Sequence, residues 1–528
     1  MVSRRTHRVV NWKLVVGLLV GLVGAVAGVW LLHGAQVRRT AQAILREAEA
    51  AETEAKDLQQ RGQHEQANKK IEEAVEKYQR YVGLRPKDFQ ALSKLALLLA
   101  EQAEKPGSPR GTKLQAREAL EMASTRDPEN MEVLRKLAEL SFQVGMDDRA
   151  ITYYRRLREI APNDSSLAVQ LARALIRTEH FREALSILEQ LTAEDKNAVD
   201  AYELLAGLLS EKIQDIERAE TVIQQMVLAN PESARAYVVR ARFYHSRKQL
   251  DKARQDIQKA LELSPRNIEV LLTAAELALA EGDRTKAGHY VDQAAAIAPT
   301  EERVLAAKAR LGQATENLSS AAEALQQMKD PQALIPLFSV LLQKGDVQGA
   351  REVIKKMEKV PFRPEVLQFF EAQVLILERQ WRKACYQLER IRPDLERLGD
   401  LGRRADLLLG ACYEQLGLPD KQLAAYQRVL EYDPNMTVAR LGAASALLRM
   451  GQTERAVVEF RKIRNSQELD KIYQNAGLRP VIYQLLVAEA MQTPEGQRDW
   501  SRVEEFFEKM GQLEEGEKIP IALMRADF

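Results

Sequence analysis

The stretch MEVLRKLAELSFQVGMDDRAITYYRRLREIAP, residues 131–162, decides the fold of this chain. Leu134, Leu137, Ala138 and Ser141 recur at helical spacing and mark one apolar face. Gly145 and Asp147 interrupt it. Ala150, Tyr154 and Leu157 then mark a second face, which Pro162 ends. The stretch reads as two amphipathic helices joined by a tight turn. Alanine stands where the two helices cross, because a larger side chain there would hold them apart.

The same signs recur outward from this stretch. One series of small residues runs Ala138, Ala172, Ala206, Ala241, Ala275, and a second runs Ala150, Ala184, Ala219, Ala253, Ala287. Every step is 34 residues except one of 35 in each series, and both extra residues fall in one repeat, near residues 213–217. Pro128, Pro162, Pro231, Pro265 and Pro299 keep the period, with Lys196 where a proline is skipped. Tyr154, Tyr202, Tyr237 and Phe460 fill wider gaps, and Asn, Asp or Ser near the prolines can cap the next helix. A fixed period of this size means stacked units, each burying its apolar face against its neighbours. No segment alternates apolar and polar residues over strand length, so no sheet is expected.

This pattern resembles the tetratricopeptide repeat family. The resemblance is carried by Leu134, Leu137, Ala138, Ala150, Tyr154 and Pro162, and again by Tyr237, Ala241, Tyr244, Ala253, Ala260 and Pro265. It implies an all-α fold, a right-handed α-solenoid of helix–turn–helix repeats. The expected segments are a basic flank over residues 1–13, a transmembrane anchor over 14–32, and a helical stalk with the start of the first repeat over 33–60. The solenoid proper follows over 61–300, degenerate repeats over 301–402, and regular repeats over 403–466. Further helical repeats occupy 467–528. An insertion at residues 104–111 reads as an exposed loop. IALMRADF at 521–528 resembles AYVVRARF at 236–243, the first helix of a repeat, and lacks its second helix, so the chain reads as a fragment.

Leu14 to Leu32 is an uncharged apolar run between Arg8 and Lys13 on one side and His33, Arg38 and Arg39 on the other. Its length matches one membrane-spanning helix. A competing reading is a signal peptide cleaved after Ala27, at Ala25-Val26-Ala27. The anchor reading predicts a single-pass membrane protein of bacterial type, with a cytoplasmic N-terminus and exoplasmic or periplasmic repeats. Gly17, Gly21, Gly24, Ala25 and Gly28 share one face of this segment, a stripe suited to self-association and a homo-oligomer through the anchor.

The chain carries no nucleophile elbow, phosphate-binding loop or dinucleotide fingerprint. Cys385 and Cys412 lack metal-type spacing, and the six histidines are scattered. No enzymatic activity and no cofactor or metal is expected. The net charge of +1, with signs interspersed, argues against a nucleic-acid partner. The resemblance implies a concave groove lined by the first helix of each repeat. The side chains expected there are Arg135, Glu139, Arg173, Arg177, Glu203, Arg242, His245 and Glu276. The asparagines of the family's carboxylate clamp are absent: Glu139, Arg173, Gly207, Arg242 and Glu276 stand at one such position in successive repeats. The chain is thus expected to be a membrane-anchored scaffold for peptide or protein partners in cell-envelope assembly or export. Two alternatives stay open. One is a non-catalytic arm of a longer enzyme whose catalytic domain lies beyond residue 528. The other is a cytoplasm-facing membrane adaptor.

Overall fold

The computed structural model describes residues 12–105, 108, 110–360, 362–463, 478–494 and 497–511, with the backbone alone at 12–29, 31, 32, 34, 35, 510 and 511. The chain forms two compact units, Met1–Ala307 and Lys308–Phe528. Among the described residues both are built of helices, with no strand.

In the first unit the helices come in consecutive pairs. They are α1 (Trp12–Gln60) with α2 (His64–Leu84), α3 (Phe89–Glu104) with α4 (Arg110–Arg126), α5 (Met131–Gln143) with α6 (Asp147–Ile160), and α7 (Ser165–Arg177) with α8 (Phe181–Glu194). Next come α9 (Val199–Gly207) with α10 (Ile216–Ala229), α11 (Ala234–Ser246) with α12 (Leu250–Leu263), and α13 (Ile268–Ala280) with α14 (Arg284–Ile297). The unit boundary falls inside α15 (Glu302–Ala314). The second unit continues with α16 (Leu318–Gln327), then α17 (Leu334–Lys344) with α18 (Val347–Met357) and α19 (Pro364–Leu377) with α20 (Trp381–Glu396). It goes on with α21 (Asp400–Gln415) and α22 (Pro419–Tyr432), α23 (Thr437–Arg449) and α24 (Thr453–Ile463), and two further helices, Arg479–Ala490 and Ser501–Gly511. Helix pairs therefore persist where the prolines lose their spacing.

All ten alanines of the two series are buried, none more than 1% exposed. Asp88, Asn130, Asp164, Ser233 and Asn267 each cap the first helix of a pair, accepting from a backbone N–H of its first turn. The turn inside most pairs holds one residue in the left-handed region. Gly145 supplies it in the founding repeat, but Glu179, Gln214, Lys248, Glu316 and Arg379 adopt it at the matching turns. A side chain there costs about 1 kcal/mol, so stacking holds these turns where local preference does not. The extra residue of the 35-residue repeat is absorbed by widening the end of α9 into a π-helical turn, Leu208–Ile213, which keeps Leu208 and Leu209 buried.

Two expectations are corrected. The chain is not supported as a single-pass membrane protein, with the repeats outside and the N-terminus in the cytoplasm: among the described residues no helix is long and apolar enough to cross a membrane. The run at 14–32 lies on α1, but most of its side chains, including the stripe Gly17, Gly21, Gly24, Ala25 and Gly28, lie outside the described residues. From Arg38 onward α1 carries Arg39, Arg46, Glu47, Glu49 and Glu52, charges that a hydrocarbon core would reject. It packs on α2 instead, in a core that includes Ala41, Ala48, Ala51 and Ala55. In the insertion at 104–111, Ser108 is half-buried rather than exposed, and its hydroxyl donates to the Gln102 carbonyl at 2.8 Å. The segment 521–528 lies outside the described residues.

Because Ala172 and Ala241 are buried at helix crossings, Ala172→Leu or Ala241→Leu should each lower stability by about 2 kcal/mol through overpacking. Glu232→Leu, at an exposed turn, should shift it by less than about 0.5 kcal/mol. Urea unfolding of the three variants checks this, and equal effects at all three positions would contradict the register.

Candidate functional site

The face carried by α5, α7, α9, α11 and α13 holds the eight residues expected to line the groove. Arg135 on α5 donates from Nη2 to Asp164 at 2.8 Å, the carboxylate that caps α7. Hydrogen bonds from the Ser166 hydroxyl and then Arg135 hold the Asp164 carboxyl below its usual range, against the effect of burial. Glu139 lies 3.3 Å from Lys136 Nζ, which also donates to Glu104 at 2.6 Å. Arg177 lies 3.4 Å over the Phe142 ring and donates to the Phe142 carbonyl and to Asp147. Arg242 donates to Glu269 at 3.0 Å and to the Thr273 hydroxyl at 2.9 Å. Glu203 accepts from Arg235 at 3.3 Å, and Arg235 also donates to Asp200 and lies 3.4 Å from Glu269. His245 is half-buried on α11, and Glu276 is exposed on α13.

The structure thus gathers Glu203 and Arg242 into one network with Asp200, Arg235 and Glu269, which the sequence reading had not singled out. The signal was present: Asp200, Arg235 and Glu269 alternate in sign at steps of 35 and 34 residues. Arg135 and Arg177 are tied to neighbouring repeats and are not free to hold a ligand. Arg173 differs. It is exposed on α7 and enters no ion pair among the described residues. At the same register one repeat on stands Gly207, where an added Cβ would meet nothing within 4 Å. On this face Arg173 is thus an exposed guanidinium without an ion pair among the described residues, one repeat before a glycine with open space at its Cβ position.

Two buried charge clusters were also missed. Arg240 donates to both oxygens of Asp256, at 2.9 and 2.6 Å, and this bonding holds the guanidinium above its usual range. In the second unit the Asp406 side chain, 2% exposed, accepts from Arg392 Nε at 2.9 Å and from Arg428 Nε at 2.8 Å. A cleft of about 300 Å³ beside it is lined by Arg392, Glu396, Arg403 and Tyr432. Its charges are paired with one another, so it offers structure rather than a reactive group. Cys385 and Cys412 are free and buried, and the neighbouring Cys385 thiol together with burial pushes the Cys412 thiol well above its ordinary range. Such a thiol is a poor nucleophile. Among the described residues no group of three His, Cys, Asp or Glu could hold a metal ion.

The stacked pairs define an α-solenoid, and the family models agree. Those described as tetratricopeptide repeat match residues 113–165, 148–209, 175–243, 244–311 and 407–436. The chain therefore carries tetratricopeptide repeats, which suggest a protein–protein interaction scaffold. Among named relatives, human protein O-mannosyl-transferase TMTC1 is 21% identical over 196 residues, which is 36% of this chain and 22% of that protein. Tetratricopeptide repeat protein 21B of Xenopus laevis is 27% identical over 175 residues, 30% of this chain and 13% of that protein. The chain spans less than a quarter of either relative. Among solved structures, yeast Tom70 covers 85% of this chain and 96% of its own at 17% identity, with a TM-score of 0.40. The tetratricopeptide repeat protein TTC0263 of Thermus thermophilus covers 35% and 98% at 22% identity, with a TM-score of 0.30. The cell-envelope setting rested on the membrane span and loses its support with it.

Proposed function

We propose that the protein is a non-enzymatic scaffold that receives an extended segment of a partner protein along the first-helix face of α5, α7, α9, α11 and α13. The observation that carries this reading is Arg173: its guanidinium is exposed and uncommitted, while Arg135, Arg177, Arg235 and Arg242 around it are held by carboxylates. An uncommitted cation one repeat from an open space is ready to pair with a carboxylate of a bound peptide without first breaking an internal ion pair. The committed arginines fix the spacing of the repeats, so the surface is organised before the partner arrives, which lowers the entropy cost of docking. His245 and Glu276 extend the same face.

The test is a displayed random-peptide library panned on the whole chain. Selected peptides should carry an acidic residue and lose about tenfold or more in affinity on Arg173→Glu. Filling that space with Gly207→Trp should exclude them as well. Peptides indifferent to both substitutions would place the docking surface elsewhere.

A further inference from the structure

Several neighbouring second helices are joined by ion pairs in a common register. In four places the residue just before the buried residue that opens a second helix (Ala150, Ala184, Ala219, Gln422) faces a residue five further along from the equivalent position of the preceding one, while Lys252 reaches Glu220 instead. In the first unit Arg149 meets Glu121 and Arg218 meets Glu189, while Glu183 meets Arg155 at 2.8 Å with the signs reversed. In the second unit Lys421, just before the buried Gln422, meets Glu389 at 3.7 Å in the same register. The left-handed turn residues Gly345, Arg379 and Gly417 fix that register independently, since each precedes its helix at the same distance.

Between α18 and α20 this register places Lys355 opposite Lys383. Like charges at facing positions repel, where every pair above attracts. Lys356 and Lys359 extend the cationic patch on the α18 side and Arg382 on the α20 side, and all five are exposed. None of their side chains enters an ion pair among the described residues. Tyr386, one turn along α20 from Lys383, is 68% exposed. The aromatic ring and the unneutralised lysines share one surface.

We propose that this α18–α20 face is a second docking surface, and that its occupant is an acidic segment of a protein partner whose carboxylates insert between Lys355 and Lys383. Charge complementarity carries the choice: each ion pair in this register holds a carboxylate, and here the partner supplies it. Tyr386 offers its ring face to the apolar part of the same segment. Exposed Glu352 and Glu358 flank the lysines on α18 and interrupt the continuous positive strip that a phosphate backbone requires. This surface lies on the second helices and is independent of the groove around Arg173.

The experiment uses the whole chain and a fluorescein-labelled deca-glutamate peptide. Binding should weaken with salt, fall by about tenfold or more in the K355E/K383E variant, and stay unchanged in R173E. Lys383→Glu alone should raise Tm, because it restores an opposite-charge pair in this register. Peptide binding that survives K355E/K383E would overturn the proposal. So would tighter binding of a single-stranded oligonucleotide of equal charge that is lost with the same substitutions. A Tm lowered by Lys383→Glu would show that the register is wrong. Loss of binding in R173E with K355E/K383E intact would assign the peptide to the groove instead.

Discussion

Asp406→Ala is expected to lower the stability of the second unit by about 4 kcal/mol. The carboxylate is buried between Arg392 on α20 and Arg428 on α22, and Arg428 Nη2 approaches it at 2.6 Å. It occupies the register position at which other repeats hold Leu134, Leu271 and Leu334, so the apolar contact of those repeats is replaced by an ionic one. The hydrogen bond to Asp406 is the leading reason that the Arg392 guanidinium is held above its usual range. Removing the carboxylate leaves two half-buried guanidiniums facing each other with only Glu396, 3.5 Å from Arg392, as a counter-charge, which costs far more than the cluster contributes when intact. Urea unfolding measures the loss, and hydrogen exchange should place it in α20–α22. Replacing all three residues together, R392M/D406L/R428M, should recover most of the stability, because an apolar contact of similar volume removes the desolvation penalty. A loss below about 1 kcal/mol for Asp406→Ala would show that water already screens the cluster.

Tyr426→Ala should cost about 4 kcal/mol, near the upper end for a lost aromatic side chain. The ring lies between the backbones of α21 and α23, facing Gly410 on one and Gly442 on the other. A Cβ added at Gly410 would fall 2.6 Å from the ring, and one at Gly442 closer still. With glycine on both sides no side chain is present to relax into the space, so the cavity persists. The same geometry predicts a change of sign. Gly442→Ala in the native chain should destabilise by about 2 kcal/mol through overpacking. In the Tyr426→Ala background it should be neutral or stabilising, because the methyl group then enters an empty space and alanine favours the helix. A double-mutant cycle by urea unfolding reads the coupling. Equal costs of Gly442→Ala in both backgrounds would mean that the ring does not pack against these glycines.

The helix pairs around residues 131–162 and 234–265 could be read from residue pattern alone. Ala138, Ala150, Tyr154 and Leu157 are buried where the periodicity placed them, and burial pushes the Tyr154 phenol up to about 12. The one-residue insertion was legible as a change of step near residues 213–217, but the form it takes was not, since any residue in the turn can absorb a shift in phase. The structure puts it at the end of α9, where the helix widens while its leucines stay buried. The groove was legible only as a face. Arg135 and Arg173 were both expected on the first-helix face, yet one reaches Asp164 and the other enters no ion pair among the described residues. The apolar run at 14–32 was legible as a span, and the described residues do not support it.

What the sequence determined by itself is the repeat: its period, the crossing alanines and the capping residues. These are short-range properties, because each unit packs only on its neighbours and the same local solution recurs. What only the tertiary structure decided is which charges remain available. A long guanidinium or ammonium arm can reach several carboxylates one repeat away, and its choice depends on the spacing and rotation between repeats. That is why Arg392–Asp406–Arg428 and the two lysines of α18 and α20 emerge from stacking rather than from local pattern. Among the described residues, the stacking leaves Arg173 without an ion pair in the first unit and Lys355 and Lys383 without one in the second.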